Sequence, residues 1–335
     1  MRKNRTIVSV CLAIVIFISA RGSSAATLDK IRLPYSPIAW NSLLWFVAKD
    51  ARLFEKHGLD VDIFFEGASP LIVQAMLAGE AQFGGVGGPT VITNVLKGGD
   101  VIQVAAVTQT FTTPLYVQPS ITEIAQLKGQ KVGVSRIGAV SHLTALAIFQ
   151  RAKVDDVTII QTGGIPESMA ALSSGNVAGA MVTPPQSVLL KEKGFRELVG
   201  IKQLKEMNLR FVENGVITRR AYAEKNPDIV KRFLKAISEA MRKIHDDKEL
   251  AMKVLGKYTT ITDQKLLDES YRYAIDAFTK DIRVPPDGLQ LMVEQLVSSK
   301  MIDPSAAQKT PLSAYYDNRY VEELDQEGFF KKLWP

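Results

Sequence analysis

Cysteine is almost absent from this chain of 335 residues: there is one, Cys11. It lies inside an apolar leader, so the body of the protein has neither disulfides nor a thiol to act as nucleophile or metal ligand. An exported chain of this size can do without disulfides, because its core alone can hold it. Histidine is scarce as well. His57, His142 and His245 are the three, and no two stand at metal-ligand spacing, so neither a zinc site nor a resident cofactor is expected. The acidic pairs Asp155-Asp156, Asp246-Asp247 and Glu322-Glu323 read as solvated faces beside helix ends rather than as catalytic pairs. Ser135 and Ser141 lack the context of a nucleophile elbow. No apolar run reaches the roughly 20 residues of a membrane-crossing helix.

Excess charge is missing too, once the leader is set aside. Arg2, Lys3 and Arg5 precede the apolar run Ile7–Ser19, and Ser23-Ser24-Ala25-Ala26 offers small residues for cleavage. Residues 1–26 therefore read as an export signal, cut near Ala25/Ala26. With Arg2, Lys3, Arg5 and Arg21 removed, the formal charge falls from +6 to about +2. That leaves no footprint for nucleic acid.

What is present is organised around Ala81–Thr90, AQFGGVGGPT. It reads as a buried strand, a glycine turn at Gly87-Gly88, and a helix opening at Pro89, where a fixed φ suits the first helical position. Free N–H groups at such a start form a cup for an anion or a carbonyl. A dinucleotide fingerprint fits worse, since Thr90 stands where the third glycine belongs. A plain strand–helix turn is the simpler reading of the stretch taken alone.

The stretch, however, occurs twice. At an offset of 96, residues 60–89 match 156–185 without a gap, with nine identities. They include Gly67 with Gly163, Pro70 with Pro166, Gly79 with Gly175, Val86 with Val182, and Pro89 with Pro185. Most fall at turns and strand starts, where geometry dictates residue type. Two similar α/β lobes are therefore expected, each presenting helix starts above the carboxyl ends of its strands, where open α/β sheets bind ligands.

The rest of the chain fits that plan. About 309 residues after the leader suffice for two lobes. Strands are expected over Lys30–Tyr35, Asp60–Phe65 and Val101–Val107, with a helix from an Asn41 cap to His57 and another capped by Ser69. Crossings between lobes are expected near Thr108–Pro114 and Phe211–Gly215. Lys131–Ser135 opens the second sheet, followed by a helix over Ala139–Ala152. Beyond Asn226-Pro227 the pattern is helical: Ile229, Phe233, Ala236, Ile237, Ala240 and Ile244 make one apolar stripe. From Pro304 an irregular tail is expected.

These residues resemble a known family. YSPIAWNSLLWFVAKDARLFEKHGLDVDIFFEGASPLIVQAMLAGEAQFGGVGGPTVI is similar to the amino-terminal lobe of ABC-transporter substrate-binding proteins of the nitrate/sulfonate/bicarbonate type, which include thiamine-pyrimidine-precursor proteins. LKGQKVGVSRIGAVSH and NGVITRRAYAEKNPDIVKRFLKAISEAM extend the likeness across the body of the chain. It implies a two-lobed periplasmic-binding-protein fold of type II, α/β, with two mainly parallel sheets flanked by helices and a cleft between them. The lobes would be 27–110 and 111–212, with 213–335 returning to the first. The implied protein is a periplasmic monomer that delivers a small molecule to an ABC permease. An enzyme of the thiamine-pyrimidine type, or a soluble ligand sensor, are the alternatives on the same fold.

The family pocket, carried over, would be lined by Ser36, Pro37, Ile38, Ala39 and Trp40, then Ser69, Gly87, Gly88 and Thr90. Thr108 and Gln109 would follow from the crossing strand. Lobe two would add Arg136, Gly138, Ala139, Ser141, Thr183 and Gln186. Arg136 is the one basic side chain among these, and it either forks onto an oxyanion or is a surface arginine. Trp40 either stacks on a planar ligand or packs under the first helix. Acids are few, with Glu66 and Glu167 at the flanks. The set suits a small organic anion, or a neutral planar molecule with carbonyl or oxyanion character, with Arg136 as anchor and Gly88 and Thr90 as N–H donors.

Overall fold

The computed structural model describes residues 28–66 and 69–335. The leader expected over 1–26, and Gly67 of the repeat, lie outside the described residues.

The first lobe opens with β1 (Asp29–Tyr35), α1 (Leu43–Asp50), α2 (Leu53–Lys56) and β2 (Leu59–Phe65). Next come α3 (Ser69–Leu77), β3 (Phe83–Val86), α4 (Gly88–Leu96) and β4 (Val101–Thr110). Asn41 does not cap a helix running to His57. It sits in a 3-10 turn, Trp40–Ser42, and Arg52 in the left-handed region (φ 55°) splits the helix in two. Ser69 is the first residue of α3 rather than its cap, and α4 begins one residue early, at Gly88, with Pro89 second.

The chain then enters a second sheet through β5 (Leu115–Val117), β6 (Lys131–Val134), α5 (Val140–Ala152) and β7 (Thr158–Gln161). It continues with α6 (Ile165–Ser173), β8 (Gly179–Met181), α7 (Gln186–Glu192), β9 (Arg196–Val199) and α8 (Ile201–Glu206). The repeat is real in three dimensions. α3 and α6 coincide residue for residue at the offset of 96, and Gly79 and Gly175 hold φ of +82° and +76° after them.

β10 (Arg210–Arg219) returns to the first lobe, where it lies antiparallel between β3 and β4. In the second, β5 lies antiparallel between β8 and β9. β1–β2 and β7–β6–β8 are parallel. β1 reaches β3 through Arg32 N donating to Gln82 Oε1 (2.9 Å) and Gln82 N donating to Arg32 O (3.2 Å). The hydrogen-bonded sheets are β2-β1, β3-β10-β4 and β7-β6-β8-β5-β9, and with β1 set beside the start of β3 the first lobe follows the same spatial order as the second. Each lobe carries one antiparallel strand, the one that follows a crossing.

Helices close the molecule: α9 (Arg220–Lys225), α10 (Pro227–Asp246), α11 (Lys248–Thr259), α12 (Gln264–Ala277) and α13 (Pro286–Ser298). The α10 stripe is buried from Phe233 to Ile244 and half-buried at Ile229, and Phe233 stacks on Phe83 of β3 at 4.1 Å, which fixes α10 to the first sheet. The irregular tail is corrected by α14 (Pro304–Lys309), α15 (Arg319–Gln326) and α16 (Phe329–Leu333). Tyr315, Tyr320, Val321 and Leu324 from this region are buried. Met292 and Leu296 of α13 join an apolar cluster that also takes in Ile92 of the first lobe and Leu143 of the second.

Candidate functional site

The carboxyl ends of β1, β2 and β3 carry the loops around Ser36–Trp40, Glu66 and Gly87, while β6, β7 and β8 carry those around Ser135–Ala139, Thr162–Gly164 and Val182–Gln186. The two sets meet at helix starts. A methyl group added at Gly87, the cap of α4, would stand 3.4 Å from Val140 Cγ2, the first residue of α5, and only 2.8 Å from the carbonyl oxygen of Glu213. Two helix amino termini from different lobes thus approach one another over the hinge strand. In that arrangement the amino-terminal N–H groups and aligned helix dipoles favour negative charge between them.

Not every expected residue faces that space. Gly88 is buried, with an added methyl falling 2.7 Å from Met292 Sδ and 3.3 Å from Val212 Cβ, so its side points into the core. The Thr90 N–H is spent on the Gly87 carbonyl (3.2 Å), which corrects its expected role as a free donor. Gly88 keeps the N–H of the first helical position, where the helix itself provides no partner. Trp40 is 3% exposed and packs edge-on against Tyr273 (5.1 Å) and tilted against Phe278 (6.1 Å). Of its two sequence readings, the structure shows packing.

Gln109 is turned outward. Its Nε2 donates to the carbonyls of Asp281 (2.5 Å) and Arg283 (2.7 Å), on the connection between α12 and α13. Thr108 is fully buried in β4 beside Asn214, its partner in β10. Ser36 and Ala39 are half-buried, and Pro37 is exposed, its carbonyl accepting from Ala39 N and Ser42 Oγ. Ser69 and Thr183 are half-buried, and Gln186 is the first residue of α7.

The β6–α5 loop has a local logic. Gly138 sits at φ +82° with Met301 Cε filling the space where a side chain would go, 2.1 Å from an added methyl. Its N–H is donated to His142 Nδ1 (3.1 Å), in the first turn of α5. That bond needs a neutral imidazole, and burial holds the His142 pKa below its ordinary value. Ser141 Oγ is 2.7 Å from Ser135 Oγ and accepts from Ser135 N. Ala139 caps the helix with extended backbone. Arg136 is exposed and has no ion pair among the described residues. Beside it, Ile137 is 45% exposed. On the other lobe Ile38, Phe65 and Leu71, at the ends of β1 and β2 and the start of α3, are exposed in the same way.

A model of the NMT1/THI5-like family matches residues 40–251. The chain belongs to that family. A Brucella abortus binding protein is 26% identical over 276 residues, spanning 80% of this chain and 82% of the relative. Among solved structures, a Bordetella bronchiseptica protein superposes with a TM-score of 0.73 at 19% identity, covering 90% of this chain and 98% of its own. The periplasmic aliphatic sulphonate binding protein SsuA of Escherichia coli gives 0.70 at 22% identity, with 82% and 88% covered. The periplasmic nitrate-binding protein NrtA of Synechocystis gives 0.68 at 11%, with 90% and 89% covered. These likenesses establish the periplasmic-binding-protein fold and bear out the resemblance to the nitrate and sulfonate group. By their names these two neighbours are binding proteins, for aliphatic sulphonates and for nitrate. Among the described residues no helix is long and apolar enough to cross a membrane, and no three His, Cys, Asp or Glu side chains converge as metal ligands would.

One acidic residue beside these helix starts was not foreseen. Glu213 lies on the hinge strand β10 under Gly87, half-buried, with Oε2 accepting from Thr112 N (2.5 Å) and Oε1 from Thr113 Oγ1 (3.5 Å). Burial raises its pKa to about 7, against the lowering effect of those hydrogen bonds. Its signal in the sequence is a lone acid within the apolar strand Phe211–Thr218, at the crossing already marked by Asn214-Gly215.

Proposed function

We propose that this protein is an exported solute receptor that holds a small organic anion, or a planar molecule with carbonyl or oxyanion character, between its lobes. It delivers that solute in the periplasm to an ABC permease. The observation that carries this reading is the approach of the α4 and α5 amino termini across the lobes at Gly87 and Val140. Arg136, without an ion pair among the described residues, is the cation that anchors the anion. Exposed Ile38, Phe65, Leu71 and Ile137 at the strand ends give an organic ligand apolar surface to cover. The working unit is a monomer divided as 27–110, 111–212 and 213–335, and it closes about the crossings when solute binds.

A thermal-shift screen over sulfonates, small carboxylates, aromatic acids and pyrimidines tests the reading. A saturable rise in melting temperature with one compound class supports it, and a metal cation or polyamine as the best stabiliser refutes it. Mass spectrometry of the best binder after incubation should return it unaltered; conversion would favour the enzyme. A neighbouring ATPase and permease gene pair would separate import from sensing.

A further inference from the structure

Cys11 and Met1 fall in the leader, so the sulfur of the remaining chain is all methionine thioether. α13 brings two of these thioethers to the facing helix starts. Met292, within α13, lies against Gly88 at the start of α4, and Met301, on the turn that follows α13, lies against Gly138 just before α5. Met292 is fully buried, and Met76, Met181 and Met241 are buried too. Met301 is only half-buried, so solvent reaches it. Its backbone is tied from both sides. Lys300 N and Met301 N donate to the carbonyls of Val297 and Leu296 (both 2.9 Å), closing α13. Ile302 is buried, and Asp303 Oδ1 accepts from Ala306 N (2.7 Å) to open α14. The β6–α5 loop opposite is held largely through side chains: Ile137 N donates to Gln161 Oε1 (3.0 Å) and Gly138 N to His142 Nδ1 (3.1 Å). Met301 Sδ stands 3.0 Å from where a side chain on Gly138 would begin, so the thioether fills the space beside that glycine.

We propose that Met301 is an oxidation site, and that its sulfoxide displaces the β6–α5 loop that carries Arg136. Hydrogen peroxide is the oxidant. A sulfur lone pair attacks one peroxide oxygen, the S–O bond forms as the O–O bond breaks, and a proton shift to the departing oxygen leaves sulfoxide and water. The thioether is oxidised and the peroxide reduced in the same step. The product is polar and bulkier at the sulfur. It has to leave the apolar contact or push against it, and a packed contact that gains an atom is destabilised. With the turn fixed at both ends, the loop is the part that yields. Arg136 stands two residues before Gly138 and moves with it. That this loosens the hold on a solute rests on the receptor reading above; the oxidation and the loop movement do not.

Hydrogen exchange read by mass spectrometry tests this on the full chain without any solute, before and after graded treatment with hydrogen peroxide. Peptide mapping should show the Met301 peptide gaining one oxygen alongside those of Met169, Met207 and Met252, the other half-buried methionines. Amide exchange over residues 136–143 should then rise about tenfold or more, while the strands of both sheets keep their protection. Met301→Leu, which keeps an apolar side chain of similar size, should stay protected under the same treatment. Melting curves establish that the variant folds, and the treated and untreated wild type carry the comparison by themselves. The inference is overturned if Met301 stays reduced while the other three oxidise, if it oxidises and exchange of the loop is unchanged, or if the rise persists in Met301→Leu. Each of these results would leave the receptor reading standing, because the solute screen tests that separately.

Discussion

Replacing Glu213 by Gln should stabilise the protein at alkaline pH, an unusual outcome for a buried polar substitution. In the fold burial pushes the carboxyl up to about 7, above its ordinary value near 4.5. Between those values the folded chain holds a proton that the unfolded chain has released. Stability therefore falls as pH rises from about 4.5 to 7, and the loss is complete above the folded value. Some 2.5 units at 1.36 kcal/mol each bound the loss at about 3 kcal/mol. Gln keeps the shape and one acceptor oxygen for Thr112 N while abolishing the titration. Urea unfolding of both proteins at pH 5 and pH 8 isolates the effect, because other titrating groups, including His142, cancel in the difference. We expect near-equal stability at pH 5 and a Gln variant more stable by about 1–3 kcal/mol at pH 8. A variant less stable at pH 8, or a difference independent of pH, would refute the reasoning.

Other substitutions follow from the same geometry. Gly88→Val should destabilise by about 1–3 kcal/mol, seen in chemical denaturation, because its side chain would press on Met292 and Val212 rather than block ligand. Trp40→Ala should cost about 3–5 kcal/mol through lost packing on Tyr273 and Phe278. His142 is held neutral in the fold, so its contribution is lost as pH falls below the unfolded value near 6.5, and His142→Leu should flatten stability in that range. Small-angle scattering should show a smaller radius of gyration when a binding solute saturates the protein, and an unchanged radius would count against hinge closure.

The lobes were legible in the sequence because turn geometry constrains residue type locally. Gly79 and Gly175 need left-handed backbone after equivalent helices, and that need shows as an identity at a fixed offset. Strand and helix bodies followed from periodicity, as the α10 stripe shows. The carboxyl-terminal helices were missed for the opposite reason: α14, α15 and α16 are only five to eight residues long, too short for a 3.6-residue period to register, and they are fixed by burying Tyr315 and Tyr320. Site orientation was the least legible. Gln109 looks like a pocket residue until its partners, the carbonyls of Asp281 and Arg283, are brought from more than 170 residues away. Gly88 faces α13 for the same kind of reason. Such long-range contacts leave no local pattern, and Glu213 at the hinge went unnoticed likewise.

The proposed receptor holds an organic anion between its lobes, with Arg136 as its anchor. Calorimetric titration of the wild type and Arg136→Ala, using the anion that raises the melting temperature most, tests it most directly. One site per chain and a loss of about ten- to a hundredfold in affinity are predicted, the range for one charge-assisted bond. An Arg136→Ala protein that folds normally and binds that anion with unchanged affinity would contradict the claim.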